Sequence, residues 1–97
     1  LDDILAVEGV DAVFIGPSDL SANYGHIGNP GAPEVVEAVQ SSLDKIAASD
    51  KASGIMALDP AAAKSFLDRG VDFVAVSIDA RTLALSLRAI AADMRNR

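Results

Sequence analysis

Short apolar runs alternate along this chain with stretches in which apolar residues recur every three or four positions. Ala12-Val-Phe-Ile15 is the first run, with the length and β-branched content of a buried strand. Gly16-Pro17 ends it, because neither residue continues a strand inside a sheet. Further strands are predicted over 53–58 and 73–78, the latter almost wholly apolar, as expected where both faces are covered. Val36, Val39, Leu43 and Ile46 predict a helix over 33–48, with Pro33 at its first position and Glu34 and Glu37 near its positive end. Asp59-Pro60 reads as N-cap and first residue of a helix over 60–69, with Ala63, Phe66 and Leu67 turned inward and Gly70 closing it. Asp79 is expected to cap a last helix over 80–94, whose stripe is Leu83, Leu87, Ile90 and Met94. Leu85 lies off that stripe and hints at a second apolar contact, with another subunit. At the start, Leu1, Ile4 and Leu5 show helical spacing with no start signal, as at the end of a helix that Gly9 would cap.

Two segments echo each other: Glu8-Gly-Val-Asp-Ala-Val-Phe-Ile15 and Arg69-Gly-Val-Asp-Phe-Val-Ala-Val76. Each is a helix-ending glycine, then Val-Asp, then four apolar residues. The resulting order is helix end, β, α, β, α, β, α, which argues for parallel pairing through crossovers. Three such strands would leave two bare edges and uncovered apolar faces, a poor independent fold. A (β/α)₈ barrel takes about 250 residues, and at about 30 residues per unit this chain supplies three. The expected fold class is therefore α/β: residues 1–97 as the last three β-α units of a single TIM-barrel domain, incomplete within this chain.

Charge and composition narrow the partners. The chain has 97 residues, a formal charge of −6 and no cysteine, which excludes disulfides and thiolate metal sites and fits a reducing, cytoplasmic compartment. Eight scattered Lys and Arg against fourteen Asp and Glu disfavour nucleic acid and anionic membrane. No apolar run approaches the roughly 20 residues that span a bilayer, and no leader pattern is visible.

Candidate chemistry gathers at the Gly16-Pro17-Ser18-Asp19 corner, because ligands of α/β folds sit at the carboxyl ends of strands. A carboxylate there suits a hard divalent cation, although from spacing alone Asp19 reads better as the cap of a short helical turn at 20–23. The backbone N–H groups of Ser18 and Asp19 could face a carboxylate or phosphate, or simply belong to a tight turn. Asp59 and Asp79 also follow strands, but each precedes a helix start and reads better as a cap. His26, the only histidine, has no visible catalytic partner and reads, like Tyr24, as structural within the long loop 18–33. Met56 sits mid-strand, as a core gap-filler or a residue lining the mouth.

These residues also resemble a known family. Val13-Phe-Ile-Gly-Pro-Ser-Asp-Leu-Ser21, Gly25-His-Ile-Gly-Asn-Pro30, Gly54-Ile-Met-Ala57 before Asp59-Pro60, and Gly70-Val-Asp-Phe-Val-Ala-Val76 are similar, in order and spacing, to the HpcH/HpaI aldolases. Those are metal-dependent class II pyruvate aldolases acting on 4-hydroxy-2-oxo acids and 2-keto-3-deoxy sugar acids. The resemblance implies a (β/α)₈ barrel using Mg²⁺, Mn²⁺ or Co²⁺, with Asp19 as one of two protein metal ligands. It implies that the Ser18 amide faces the pyruvate carboxylate within the Gly16-Pro17 turn, and that Met56 contacts the aldehyde end of the substrate. It also implies a homo-oligomer, a hexamer with exchanged C-terminal helices, whose partners are the keto acid, pyruvate and an aldehyde. No Schiff-base role is needed for Lys45, Lys51 or Lys64.

The family's second metal ligand is a Glu about two dozen residues before Asp19. It, the base histidine and the pyruvate-binding arginine all fall upstream of this chain, so no catalytic base or oxyanion partner is assigned here and His26 does not inherit the role. The chain alone is expected to be inactive. Two rivals stand beside the aldolase: a CoA-ester lyase of the citrate-lyase β-subunit type, and a non-catalytic truncated barrel segment.

Overall fold

The computed structural model describes residues 1–97. Its elements are α1 (Asp2–Leu5), β1 (Ala12–Ile15), α2 (Pro17–Asn23), α3 (Pro33–Ala47), β2 (Ala52–Ala57), α4 (Pro60–Arg69), β3 (Phe73–Val76) and α5 (Asp79–Arg95). The strands form one parallel sheet in the order β1-β2-β3, with Phe14 opposite Gly54 and Gly54 opposite Phe73. The alternation of β-α units is thus as the sequence predicts.

Side-chain alternation splits the sheet into two unlike faces. Ile15, Ile55 and the partly buried Val74 pack against Val39, Leu43 and Ile46 of α3 and Phe66 of α4. The other face carries Phe14, Gly54, Met56, Phe73 and Ala75 and has no covering element; Phe14 and Phe73 are exposed. Only 13 of 97 residues are buried, and the radius of gyration is 16.3 Å, against about 13 Å for a compact domain of this size.

Several sequence expectations are corrected. The buried stripe of α3 is Val35, Val39, Leu43 and Ile46, so Val35 replaces Val36; steps of four, four and three keep one face on the sheet. Val36 turns instead toward a small hollow shared with Pro17, Pro30 and Phe66. Leu67 is half exposed on the flank of α4, while Ala63 is buried. The second strand lies one residue earlier than predicted, at Ala52–Ala57. The third stops at Val76 because Ser77 leaves the extended region for φ +64°. Gly9 has a left-handed φ of +94°, but α1 already ends at the C-cap Ala6, so Gly9 belongs to the turn leading into β1.

The last helix differs most. Ile78, not Asp79, is its N-cap; Asp79 lies in the first turn, its carboxylate accepting from the N–H of Ala80 at 2.8 Å. Helix α5 buries no residue, and its whole stripe of Leu83, Leu87, Ile90 and Met94 is exposed, as is Leu85. The longest dimension of the chain is 58 Å, against 27 and 21 Å. No helix is long and apolar enough to cross a membrane.

The echoed Gly-Val-Asp segments start successive strand pairings. The carbonyl of Asp11 accepts from Ala52 N–H at 3.0 Å, and Asp72 N–H donates to the carbonyl of Ser53 at 3.1 Å. Asp72 adds its carboxylate, which accepts the Ser53 N–H at 2.8 Å, so the buried Ser53 is satisfied where the ladder begins.

Candidate functional site

The corner after β1 is the first turn of a helix. Gly16 is the N-cap in extended backbone (φ −106°, ψ 94°) and Pro17 is the first helical residue, its fixed φ suited to that place. The first intrahelical bond runs from Leu20 N–H to the carbonyl of Gly16 at 2.9 Å. The amides of Ser18 and Asp19 precede it and have no intrahelical acceptor. Ser21, fully buried, donates its hydroxyl to the Ser18 carbonyl at 2.6 Å and fixes the turn from inside.

Asp19 is therefore not the cap that its spacing allowed. The helix starts before it, no side chain caps the helix, and the Asp19 carboxylate is exposed and engaged in no hydrogen bond or ion pair within the chain. It stays close to the N-cap: a β-carbon on Gly16 would lie 3.2 Å from Asp19 Oδ2. A free, hard oxygen donor at the carboxyl end of a strand fits a divalent cation. It fits as one ligand of a larger set, since nowhere do three or more Asp, Glu or His side chains converge.

The predicted site residues fall into two hollows on either side of this corner. Gly16 and Asp19 line one of about 400 Å³ with Phe14, Leu20 and Asn23, beside the edge strand β1. Pro17, Ser18 and Met56 line another of about 350 Å³ with Leu58 and Asp59. Met56 lies on the open face of the sheet and is only partly buried, outside the helix-packed core. Asp59 is the N-cap expected, accepting Ala62 N–H at 2.9 Å.

His26 Nε2 lies 3.0 Å from Glu34 Oε2, tying the loop to the first turn of α3, and both side chains are solvent-accessible. Tyr24 is the C-cap of α2 and borders a depression with Glu34 and Glu37. Neither reaches the Asp19 corner hollow.

Arg81 was not singled out by the sequence pattern. Its guanidinium donates to the carbonyl of Leu58, just past β2, at 3.0 Å. The available signal was positional: it is the only basic residue in the segments that directly follow the three strands, 16–20, 58–60 and 77–81.

Comparison with known proteins agrees with this architecture. A hydroxypyruvate/pyruvate aldolase of Pseudomonas aeruginosa is 52% identical over 91 residues, covering 94% of this chain and 34% of that protein. A 4-hydroxy-2-oxo-heptane-1,7-dioate aldolase of Escherichia coli is 49% identical over 92 residues, covering 95% of this chain and 35% of its own length. The crystal structure of an HpcH/HpaI aldolase from Desulfitobacterium hafniense superposes with a TM-score of 0.88 at 30% identity, over 99% of this chain and 38% of that one. The chain thus spans about a third of the length of the curated relatives it matches. The family model described as HpcH/HpaI aldolase/citrate lyase matches residues 1–85, and with these relatives it establishes that the chain belongs to that family.

Proposed function

We propose that the protein carrying this chain is a divalent-metal-dependent aldolase that cleaves a 4-hydroxy-2-oxo acid, such as a 2-keto-3-deoxy sugar acid, to pyruvate and an aldehyde. The chain provides the C-terminal three β-α units of its barrel. Asp19 holds the metal, together with a Glu on the strand before β1. When bound, the metal acts as a Lewis acid toward the keto oxygen and favours breaking of the neighbouring carbon–carbon bond. The Ser18 amide receives the pyruvate carboxylate, Gly16 and Pro17 set the backbone that presents it, and Met56 lines the aldehyde end. A histidine and an arginine from the rest of the barrel act as base and oxyanion partner.

The observation that carries this reading is the free carboxylate of Asp19 at the carboxyl end of β1, beside the two first-turn amides. The test is pyruvate release by the full-length protein, with and without EDTA and with Asp19→Ala. Activity lost on chelation, restored by Mg²⁺, Mn²⁺ or Co²⁺, and absent from the folded variant supports it. Activity indifferent to EDTA, or normal in Asp19→Ala, overturns it.

Assembly belongs to the same proposal. The exposed apolar stripe of α5 supports a homo-oligomer, a hexamer in which C-terminal helices cross between subunits. Light scattering that shows a monomer removes that part.

A further inference from the structure

Ser21 is the one buried residue of α2, the helix that carries Asp19, and it is polar. A buried polar side chain calls for a reason, because an apolar one would fill the same place without taking a hydroxyl out of water. The Ser21 hydroxyl donates to the Ser18 carbonyl at 2.6 Å, three residues back in the same helix. The Ser21 carbonyl accepts the N–H of His26 at 2.8 Å, and the His26 ring lies 3.0 Å from the Glu34 carboxylate in the first turn of α3. Ser21 is thus held from the loop side and itself holds the corner. These contacts all lie within the chain, and the chain alone buries the side chain completely, so the arrangement needs nothing from outside it.

The peptide unit between Ser18 and Asp19 turns that contact into a position for the carboxylate. The Ser18 carbonyl and the Asp19 nitrogen and α-carbon lie in one rigid plane. A hydroxyl bonded to the carbonyl therefore fixes the tilt of that plane, and with it the point from which the Asp19 side chain leaves. The support matters because α2 has only seven residues, too few to be stable by itself. The partly buried Leu20 packs against the core, which ties the helix to the sheet but leaves the tilt of the neighbouring peptide free.

We infer that Ser21 is a positioning residue for the proposed metal ligand: its hydroxyl, acting through the Ser18 carbonyl, sets where the Asp19 carboxylate stands. This rests on the metal reading above and adds to it a residue that touches neither metal nor substrate. Groups that orient a ligand from outside the coordination sphere have large effects on metal affinity.

The test is calorimetric titration of the full-length protein with Mn²⁺, which reads binding apart from turnover. In Ser21→Ala the Mn²⁺ dissociation constant is expected to rise about 10-fold, the lower range for a lost orienting partner. The Mn²⁺ concentration that half-activates pyruvate release should rise in parallel, while kcat at saturating Mn²⁺ stays near wild type, because the ligand is still present once the ion is bound. Ser21→Thr, whose hydroxyl can bond the same helical carbonyl, should bind Mn²⁺ more tightly than Ser21→Ala. A serine that only stabilises the helix would lower the melting temperature of the metal-free Ala variant and leave the Mn²⁺ affinity of the folded protein unchanged. That result, or a Thr variant no better than Ala, overturns the inference and leaves the metal reading intact. Should Ser21→Ala not fold, Ser21→Cys, whose thiol is a weak donor, takes its place and must bind Mn²⁺ more weakly than wild type; equal affinity overturns the inference. A wild type that binds no Mn²⁺ would remove the metal reading, and this assignment with it.

Discussion

The ring of Phe73 lies flat against the backbone of Gly54: a β-carbon on that glycine would overlap the ring itself. Phe14, on the far side of the same row, stacks with Phe73 at a centroid distance of 5.8 Å and 24° between planes. The glycine is the gap through which two aromatic rings from β1 and β3 meet across β2. Its role is space, since its backbone is not among the positive-φ positions.

It follows that Gly54→Ala forces the Phe73 ring off its seat. Overpacking of this kind costs about 1–3 kcal/mol, and urea denaturation of the full-length protein measures it. The double variant Gly54→Ala/Phe73→Leu should recover part of the loss. An unchanged midpoint for Gly54→Ala would mean that the ring moves freely.

Ser77 is the only non-glycine residue with positive φ, at +64°, and it stands where β3 turns into α5. Its N–H still continues the ladder to the Ala57 carbonyl at 2.8 Å, and its hydroxyl lies 2.9 Å from that of Thr82. The left-handed region penalises β-branched residues most. Ser77→Val should therefore destabilise by about 1–2 kcal/mol, whereas Ser77→Gly should stay within about 0.5 kcal/mol, because relief of strain offsets the lost hydroxyl contact. Thermal unfolding of the two variants side by side checks the contrast, and equal behaviour would contradict it.

These two positions also show what the sequence could reveal. Helix α4 follows from local chemistry: Asp59 caps, Pro60 starts and Gly70 stops with φ +104°, as each residue type prefers without outside help. The echoed Gly-Val-Asp segments likewise foretell two strand starts. What stayed hidden depended on distant partners. Val35 and Val36 are equivalent by composition, and only the sheet decides which is buried. The stripe of α5 is well formed, but whether it packs on its own sheet is not a local property. Asp19 was ambiguous for the same reason: spacing made it a cap, while the helix in fact begins at Pro17 and leaves the carboxylate free.

Asp72 offers a third test. Its carboxylate accepts the backbone N–H of Ser53 at 2.8 Å and lies 3.4 Å from the Ser53 hydroxyl, and Ser53 is buried. Asp72→Ala leaves that N–H without an acceptor at the start of the β2–β3 pairing, at a cost of about 1–3 kcal/mol. Asp72→Asn keeps an acceptor oxygen and should lose less than half as much. Amide hydrogen exchange at Ser53 reads the effect directly: fast exchange in the Ala variant, protection in Asn. Protection in both would mean that water replaces the carboxylate without loss.

Gly16 provides the most direct probe of the proposed metal site that does not touch a ligand. Its backbone, at φ −106° and ψ 94°, is open to any residue, so Gly16→Ala adds no conformational strain. The added methyl would sit 3.2 Å from Asp19 Oδ2, tighter than ordinary contact, and the carboxylate must shift by a few tenths of an ångström. A ligand oxygen displaced on that scale weakens metal binding, because sites depend on placement at about that tolerance. Mn²⁺ titration of the full-length protein should then show affinity about 10-fold weaker in Gly16→Ala, at the low end of the effect of groups that orient a ligand. Asp19→Asn, which removes the ligand's charge, should weaken it on the order of 100-fold. Thermal stability without metal should fall by no more than about 1 kcal/mol for Gly16→Ala, the scale of putting alanine at an N-cap. Unchanged Mn²⁺ affinity in both variants would show that the oxygen beside Gly16 holds no metal.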